Sequence, residues 1–240
     1  MKQLSLVIPT YNEEGNIVPL VQRIDKTLSS NEITYEIIFI DDRSTDRTRA
    51  RISSLNKKYP ITLYLKHGKR GKAQSLIEGF PHAQYELIAM IDADQQYPPE
   101  ALPEMIAKID RGADMVVANR ITKQTNFLRI FISNTYSFLF NKLLHGLDFD
   151  VQAGLKVFKK EITDRITLTS GKWAIDLELL LNAKEAGYTI VSQDIVLAKR
   201  DAGGTKINLL KASWEIGCNA LKMKFQRLHL VPQRIKHIYS

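Results

Sequence analysis

The sequence predicts an α/β fold with a Rossmann-like, mainly parallel sheet and helices on both faces. Short apolar runs typical of strands recur in the first half, with helix-length segments between them, at Leu4–Ile8, Glu36–Ile40, Ile61–Leu65, Leu87–Ile91 and Met115–Ala118. This alternation indicates right-handed crossovers between parallel strands. Two further strands are predicted over Gly154–Phe158 and Ile190–Val196, and a helix over Ile175–Ala186 with Gly187 as its C-cap.

Length and composition favour one soluble domain. The chain has 240 residues and lacks any linker-like composition shift, so we expect a single domain. The lone cysteine, Cys218, excludes an intramolecular disulfide and fits a reducing cytoplasm. The start of the chain has no charged, apolar leader, and the apolar stretch from Ile130 to Asn141 is shorter than the ~20 residues of a spanning helix. We therefore expect neither export nor a membrane span.

Positive charge is concentrated in two segments. The formal net charge is +8, and residues 196–240 contain nine Lys or Arg against two acidic residues. Residues 120–146 add four basic and no acidic residues, interleaved with aromatic side chains. Such mixtures are typical of contacts with nucleic acid or with an anionic membrane surface. Because no nucleic-acid module or zinc-ligand spacing accompanies them, we expect an anionic membrane partner and no nucleic acid.

An acidic motif follows the fourth predicted strand. Asp92 and Asp94 stand one residue apart directly after the apolar run Leu87–Ile91. A buried strand would deliver them to the carboxyl edge of the sheet, where open α/β folds bind ligands. Two carboxylates leave Mg²⁺ or Mn²⁺ several positions for water or phosphate oxygens. The alternative is a turn whose aspartates only cap the helix expected after Pro98.

Three segments resemble the catalytic domain of inverting family 2 glycosyltransferases: Ser5–Glu14, Ile37–Asp46 and the segment that contains Asp92 and Asp94. Two later segments, Asp150–Phe158 and Arg200–Lys206, resemble the polyprenyl-phosphate (dolichyl-phosphate) mannose and glucose synthases within that family. The resemblance implies the glycosyltransferase A fold. It also implies a nucleotide-sugar-binding half over about residues 1–120 and an acceptor-binding half, with a basic amphipathic tail, over about residues 121–240.

The resemblance also implies roles for individual residues. The base and ribose of the nucleotide-sugar would be held by Pro9, Tyr11, Glu13, Asp42 and Asp92. The metal ligands would be Asp92, Asp94 and Gln96, with Mg²⁺ or Mn²⁺ as the cofactor. The acceptor phosphate would be held by Arg120, Arg129, Ser133, Arg200 and Lys206, and the catalytic residues would be Asp94 and Arg200. Lys72 is a further candidate for the nucleotide-sugar because its glycine-bearing basic loop precedes a helix and suits a phosphate.

The predicted activity is metal-dependent transfer of mannose or glucose, with inversion, from a GDP- or UDP-sugar to a polyprenyl phosphate. We expect a peripheral protein at the cytoplasmic face of the membrane. A membrane-protein partner is compatible with this location. A phosphate monoester is substantially ionised near neutral pH, since its second pKa is about 6, and it needs no general base. A saccharide hydroxyl acceptor would need one, and Asp150 is the first candidate.

Two alternatives from other classes remain open. A nucleotidyltransferase shares a Rossmann-like core and metal-binding carboxylates, but it usually has a glycine-rich, lysine-bearing loop where this chain has Pro9–Glu13. A binding protein could retain the fold without catalysis. Two departures from the family pattern, Ala153 and Leu155, predict a different pocket wall, and the choice between mannose and glucose stays open.

Overall fold

The computed structural model describes residues 2–121, 150–169 and 175–198. All of them belong to one compact unit, which comprises residues 1–123 and 149–205. The second unit, residues 124–148 and 206–240, lies outside the described part of the chain. The predicted single domain with a donor half and an acceptor half therefore stays a prediction.

Seven strands form one sheet in the order β3-β2-β1-β4-β6-β5-β7. Their bounds are β1 Lys2–Thr10, β2 Ile33–Asp41, β3 Ile61–Leu65, β4 Leu87–Met90, β5 Met115–Arg120, β6 Lys156–Lys159 and β7 Ile190–Ile195. Neighbouring strands are parallel except at β6, which runs antiparallel to both β4 and β5. Every strand predicted from the sequence is present, and the mainly parallel sheet is confirmed.

Helices connect these strands. Their bounds are α1 Ile17–Ser29, α2 Thr48–Leu55, α3 Lys72–Gly79, α4 Leu102–Asp110, α5 Lys160–Arg165 and α6 Ile175–Glu185. Short 3₁₀ turns occupy Phe80–His82 and Pro99–Ala101. After α6, Gly187 has φ +88°, the left-handed conformation that glycine adopts without strain. The C-cap predicted there is confirmed.

The central strands read as unbroken apolar runs because they are covered on both faces. In β1 the residues from Leu4 to Val7 are fully buried, and β2 is buried along nearly its whole length. Parallel strands sandwiched between helices have this composition rather than an alternating one. The core of the protein therefore lies on both sides of β1 and β2.

The sheet topology brings the ends of six strands to one edge. The strands β1 to β5 and β7 all end at this edge, and the reversed β6 begins there. In the sheet, β2 lies on one side of β1 and β4 lies on the other. The chain therefore continues in opposite directions after β1 and after β4. Open α/β sheets bind ligands at such a switch point. Among the described residues, no helix is long and apolar enough to cross a membrane.

Candidate active site

The loop after β1 is tied to the loop after β2 by hydrogen bonds between side chains and backbone. The backbone N–H of Asn12 donates to Ser44 Oγ at 3.0 Å, and the N–H of Thr45 donates to Asn12 Oδ1 at 2.8 Å. The N–H of Glu13 donates to Thr48 Oγ1 at 2.8 Å. Asn12 itself has φ 54°, a conformation that asparagine tolerates well. The two loops thus form one shaped surface.

This surface contains an exposed aromatic ring. Tyr11 is 40% exposed, and the guanidinium carbon of Arg70 lies 5.8 Å from its ring centroid. Arg70 belongs to the basic loop that leads into α3. A cation over an aromatic face is attracted by the quadrupole of the ring. An exposed aromatic ring, Tyr11, and a positive charge, Arg70, therefore lie close together at the carboxyl edge of the sheet.

Asp42 is held by the loop before α3. Its Oδ2 accepts a hydrogen bond from the backbone N–H of Gly71 at 2.7 Å, and its Oδ1 lies 3.1 Å from Lys66 Nζ. Lys66 is buried and also donates to the Gly71 carbonyl at 2.9 Å and to Ser75 Oγ at 3.2 Å. Lys66 is not among the site residues predicted from the sequence. The available signal was a lysine directly after a strand, at the edge where the motifs meet.

Lys72, the first residue of α3, forms an ion pair with Asp92. Lys72 Nζ lies 2.6 Å from Asp92 Oδ1, and both side chains are partly buried. Burial opposes the charge of Lys72, but the carboxylates of Asp92 and Asp176 outweigh it and raise the pKa of Lys72. Burial also raises the pKa of Asp92, and Lys72 opposes that rise. The predicted phosphate-binding lysine thus lies directly beside the predicted metal ligand.

The acidic motif forms a tight turn. The backbone N–H of Gln96 donates to Asp94 Oδ1 at 3.1 Å, and Gln95 between them has φ 61°. The buried side chain of Gln95 donates to Asn16 Oδ1 at 3.2 Å and so anchors the turn to the start of α1. Asp92, Asp94 and Gln96 are half-buried, whereas the intervening residues are buried. The three predicted metal ligands therefore keep partial access to solvent.

The helix-capping alternative for the aspartates is wrong. The 3₁₀ turn that follows begins after Pro98, α4 begins after Ala101, and neither start has a side-chain cap. Instead, the charge of Asp94 acts on Asp92 and contributes to its raised pKa, after the larger effect of burial. The two carboxylates stand one residue apart in the same turn, at the carboxyl edge of the sheet.

The donor set fits a hard divalent cation. Two carboxylates and one amide oxygen are the ligand types that Mg²⁺ and Mn²⁺ accept, with further oxygens from a substrate and water. Within the described ranges, no group of three or more His, Cys, Asp or Glu side chains could hold a metal ion by itself. The remaining ligands of a cation at Asp92, Asp94 and Gln96 would be oxygens of a substrate and of water.

Arg120, at the end of β5, clasps Asp150. Its Nη2 donates to Asp150 Oδ1 at 2.9 Å and its Nε donates to Oδ2, a bidentate arrangement. Asp150 Oδ1 also accepts the backbone N–H of Gln152 at 3.2 Å. This ion pair joins the end of β5 to the segment that leads into β6.

The other residues predicted for the acceptor phosphate lie outside the described residues: Arg129, Ser133, Arg200 and Lys206.

The segment before β6 packs directly against Asp92. A Cβ atom on Gly154 would lie 2.0 Å from Asp92 Oδ2 and 2.8 Å from Tyr97 Cε2, so any larger residue requires these side chains to move. Ala153 and Leu155, the two departures from the family pattern, are fully buried. They therefore pack in the core and do not form the exposed wall of a pocket.

A buried ion pair that was not predicted from the sequence lies behind this segment. Lys156 and Asp176 lie 2.5 Å apart, and both are buried. The predicted site residues that the structure describes all lie at or just after the carboxyl ends of parallel strands, or begin α3 at the same edge: Pro9, Tyr11, Glu13, Asp42, Lys72, Asp92, Asp94, Gln96 and Arg120.

The profile of the family described as "Glycosyl transferase family 2" matches residues 5–167, more than half of the chain. The chain belongs to glycosyl transferase family 2. This membership confirms the predicted family and its enzyme class, glycosyl transfer. The matched range includes every loop of the candidate site that the structure describes.

Two curated relatives are similar to this family 2 chain. The dolichol-phosphate mannosyltransferase of Pyrococcus furiosus is 30% identical over 190 residues, which are 76% of this chain and 53% of the relative. The putative glycosyltransferase CsbB of Bacillus subtilis is 33% identical over 162 residues, which are 66% of this chain and 48% of the relative. The chain thus spans about half the length of the curated relatives it matches.

A solved structure has a similar fold. It is the glucosyl-3-phosphoglycerate synthase of Mycobacterium tuberculosis in complex with Mn²⁺, UDP-glucose and phosphoglyceric acid. The TM-score is 0.72 at 14% identity, over 93% of this chain and 80% of that one. Identity at this level supports the fold alone. Together with the family membership, it confirms the predicted glycosyltransferase A fold.

Proposed function

We propose that the protein transfers a hexose, mannose or glucose, with inversion from a GDP- or UDP-sugar to a polyprenyl phosphate at the cytoplasmic face of a membrane. The main support is the convergence of Asp42, Lys72, Asp92, Asp94 and Arg120 at one edge of the sheet. Carboxylates for a metal lie there beside cations suited to two phosphates, one on the donor and one on the acceptor. The 30% identical dolichol-phosphate mannosyltransferase supports the lipid acceptor.

The donor would lie across the loops after β1 and β2. Tyr11 offers a planar surface for the base, and carboxylates such as Asp42 and Glu13 accept hydrogen bonds from base N–H groups or ribose hydroxyls. Pro9 shapes the end of the strand. Lys72 lies at the start of α3, where a cation and backbone N–H groups favour the diphosphate.

Asp92, Asp94 and Gln96 would hold the metal ion. When bound, Mg²⁺ or Mn²⁺ supplies positive charge that stabilises the diphosphate as it leaves. The ion pair of Lys72 with Asp92 adds a second cation on the same side. The polar groups of the chain are thus arranged to offset negative charge on the leaving group.

In the reaction, an oxygen of the acceptor phosphate would attack the anomeric carbon on the face opposite the nucleoside diphosphate. The new bond joins that carbon to the phosphate oxygen, and the bond to the diphosphate oxygen breaks with its electron pair leaving on the diphosphate. Guanidinium groups bind phosphate bidentately, so Arg120, with Arg129, Ser133, Arg200 and Lys206, would hold the acceptor phosphate.

The contacts of Asp150 favour a phosphate acceptor over a hydroxyl. Both of its carboxylate oxygens accept hydrogen bonds from Arg120, and Oδ1 also accepts one from Gln152. A carboxylate engaged in this way is badly placed to take a proton from a sugar hydroxyl. An ionised phosphate monoester needs no such base.

The experiment is a transfer assay with Mn²⁺, a panel of UDP- and GDP-hexoses, and either a polyprenyl phosphate in anionic liposomes or a soluble saccharide. We expect one donor to raise the melting temperature with Mn²⁺, since ligands that bind the native state stabilise it. The same donor should give a lipid-linked hexose phosphate of inverted configuration.

We also expect the protein to sediment with these anionic liposomes, and a smaller fraction to sediment at high salt. Transfer to the saccharide alone would replace the lipid proposal with the hydroxyl alternative, and nucleotide transfer would replace both.

Replacement of Arg120 by alanine should raise the acceptor KM by about tenfold or more, because a bidentate phosphate contact is lost. Donor affinity, measured by calorimetry, should change little. The control is Asp150→Asn, which releases Arg120 without removing it and should leave the acceptor KM much closer to wild type. If the acceptor KM rises equally in both variants, the role of Arg120 is to hold Asp150, and Arg120 does not bind the acceptor phosphate.

A further inference from the structure

We propose that Lys156 is a positioning residue that, with its partner Asp176, fixes the backbone of Ala153 and Gly154 against Asp92. The inference rests on the proposed function, in which Asp92 binds the metal and the donor. Lys156 lies within the segment Asp150–Phe158, but neither it nor Asp176 is among the site residues predicted from the sequence. Both lie behind the site, on β6 and at the start of α6.

Lys156 is held entirely by protein groups. Its side chain is fully buried, and Nζ donates to Asp176 Oδ1 and to the carbonyl oxygen of Ala153, each at 2.5 Å. Asp176 is 7% exposed. The ammonium group therefore joins the first turn of α6 to the backbone just before β6.

The contact with Ala153 reaches the site through one residue. Gly154 follows Ala153, and its Cα faces Asp92 so closely that even a methyl group would overlap the carboxylate. β6 pairs Lys156 with Met90 on β4, two residues before Asp92. The position of the Ala153 carbonyl therefore sets how far the Gly154 backbone advances toward Asp92.

The charges of the pair also act on the site. The carboxylate of Asp176 contributes to the raised pKa of Lys72, after the opposing effect of burial and the larger effect of Asp92. Burial lowers the pKa of Lys156, and Asp176 opposes that change. Electrostatic interactions thus link two cations, Lys156 and Lys72, with two carboxylates, Asp176 and Asp92, at the edge of the sheet where the metal would bind.

A role in stability alone would not require charged residues here. Removing two charges from water costs more than their attraction usually returns, and apolar side chains of similar volume often replace a buried pair with no loss of stability. The two residues that follow Lys156 on β6, Val157 and Phe158, are fully buried and apolar. An apolar side chain would therefore suit this strand, and the lysine is explained by the carbonyl it binds.

The test compares Lys156→Met with the double variant Lys156→Met/Asp176→Leu. We expect the single variant to unfold at a lower temperature, because it leaves Asp176 buried without its cation. The double variant should regain the melting temperature but still bind Mn²⁺ in the presence of UDP or GDP about tenfold or more weakly, as loss of supporting contacts behind metal ligands does. Mn²⁺ binding is measured by the paramagnetic resonance signal of the free ion.

A third variant, Asp176→Asn, tests the proposal if the double variant does not fold. Asp176→Asn keeps an oxygen for Lys156 and leaves the Ala153 contact intact, so it should bind Mn²⁺ much more tightly than Lys156→Met. A matched control on the same strand is Lys159→Met/Asp114→Asn, which breaks an ion pair of 2.6 Å at the opposite edge of the sheet. This control should bind Mn²⁺ as the wild type does.

The outcomes separate this inference from the proposed function. Wild-type Mn²⁺ affinity in a stable double variant would overturn the inference and leave the pair with a structural role only. Equal loss of affinity in Asp176→Asn and Lys156→Met would also overturn it, since the Ala153 contact would then be irrelevant. A wild-type protein that binds no Mn²⁺ with either nucleotide would overturn the proposed function, and the inference with it.

Discussion

Replacement of Asp94 by alanine should lower the rate of sugar transfer by about 10²-fold or more, which corresponds to about 2.7 kcal/mol of lost transition-state stabilisation. The carboxylate is half-buried at the edge of the sheet, and its charge acts on Asp92. Without it the site retains one carboxylate, too few for a cation that must neutralise a leaving diphosphate. The measurement is kcat at saturating donor and acceptor, together with Mn²⁺ binding.

The fold should survive this change. Asp94 Oδ1 accepts a local hydrogen bond from the N–H of Gln96 at 3.1 Å, and the loss of such a bond costs about 0.5–1.5 kcal/mol. Asp94→Asn is the matched control, because its amide oxygen can still accept that hydrogen bond while the charge is removed. Both variants should lose activity, and Asp94→Asn should keep the wild-type melting temperature. Full wild-type activity in EDTA would contradict the metal-dependent proposal.

The strands and the position of the motifs could be predicted from the sequence because local pattern determines them. A run such as Leu4–Ile8 is apolar at nearly every position, and this indicates a strand buried on both faces. Once parallel strands are inferred, the residues that follow them must meet at one edge. The site around Asp42 and Asp92 follows from that geometry, and the structure brings both residues there.

The direction of β6 could not be predicted in the same way. Residues Lys156–Lys159 form a short strand between β4 and β5, and its apolar pattern is the same whichever way the strand runs. The reversal decides which end of the segment reaches the site. It brings Gly154 to Asp92 and places Lys159 at the opposite edge of the sheet.

Buried lysines escaped prediction for a related reason. Lysine is almost never fully buried unless it is paired, so both Lys66 and Lys156 would be assigned to the surface from sequence alone. Their partners, Asp42 and Asp176, are distant in the sequence and become visible only in the fold. Only the placement of Lys156 within an apolar segment hinted at burial.

Replacement of Gly154 by alanine should reduce transfer by about 10²-fold, with a much smaller effect on folding. The added Cβ would lie 2.0 Å from Asp92 Oδ2 and 2.5 Å from its Cγ, so the Asp92 side chain must move. Misplacement of a catalytic group by about 1 Å can cost about 10²-fold in rate. The movement would also disturb the ion pair of Asp92 with Lys72, now 2.6 Å long. Mn²⁺ affinity in the presence of nucleotide should fall together with the rate.

The stability of this variant should fall by about 1–3 kcal/mol, as in other overpacked sites, because the atoms nearest the added Cβ belong to the side chains of Asp92 and Tyr97 and not to the backbone. Gly187→Ala is the opposite control: φ is +88° there, nothing lies within 4 Å of an added Cβ, and the position is on the far edge of the sheet. Its left-handed conformation should cost about 1–2 kcal/mol of stability with kcat unchanged. If Gly154→Ala instead unfolds the protein while its remaining folded fraction transfers sugar at the wild-type rate, Gly154 serves packing, and the placement of Asp92 does not depend on it.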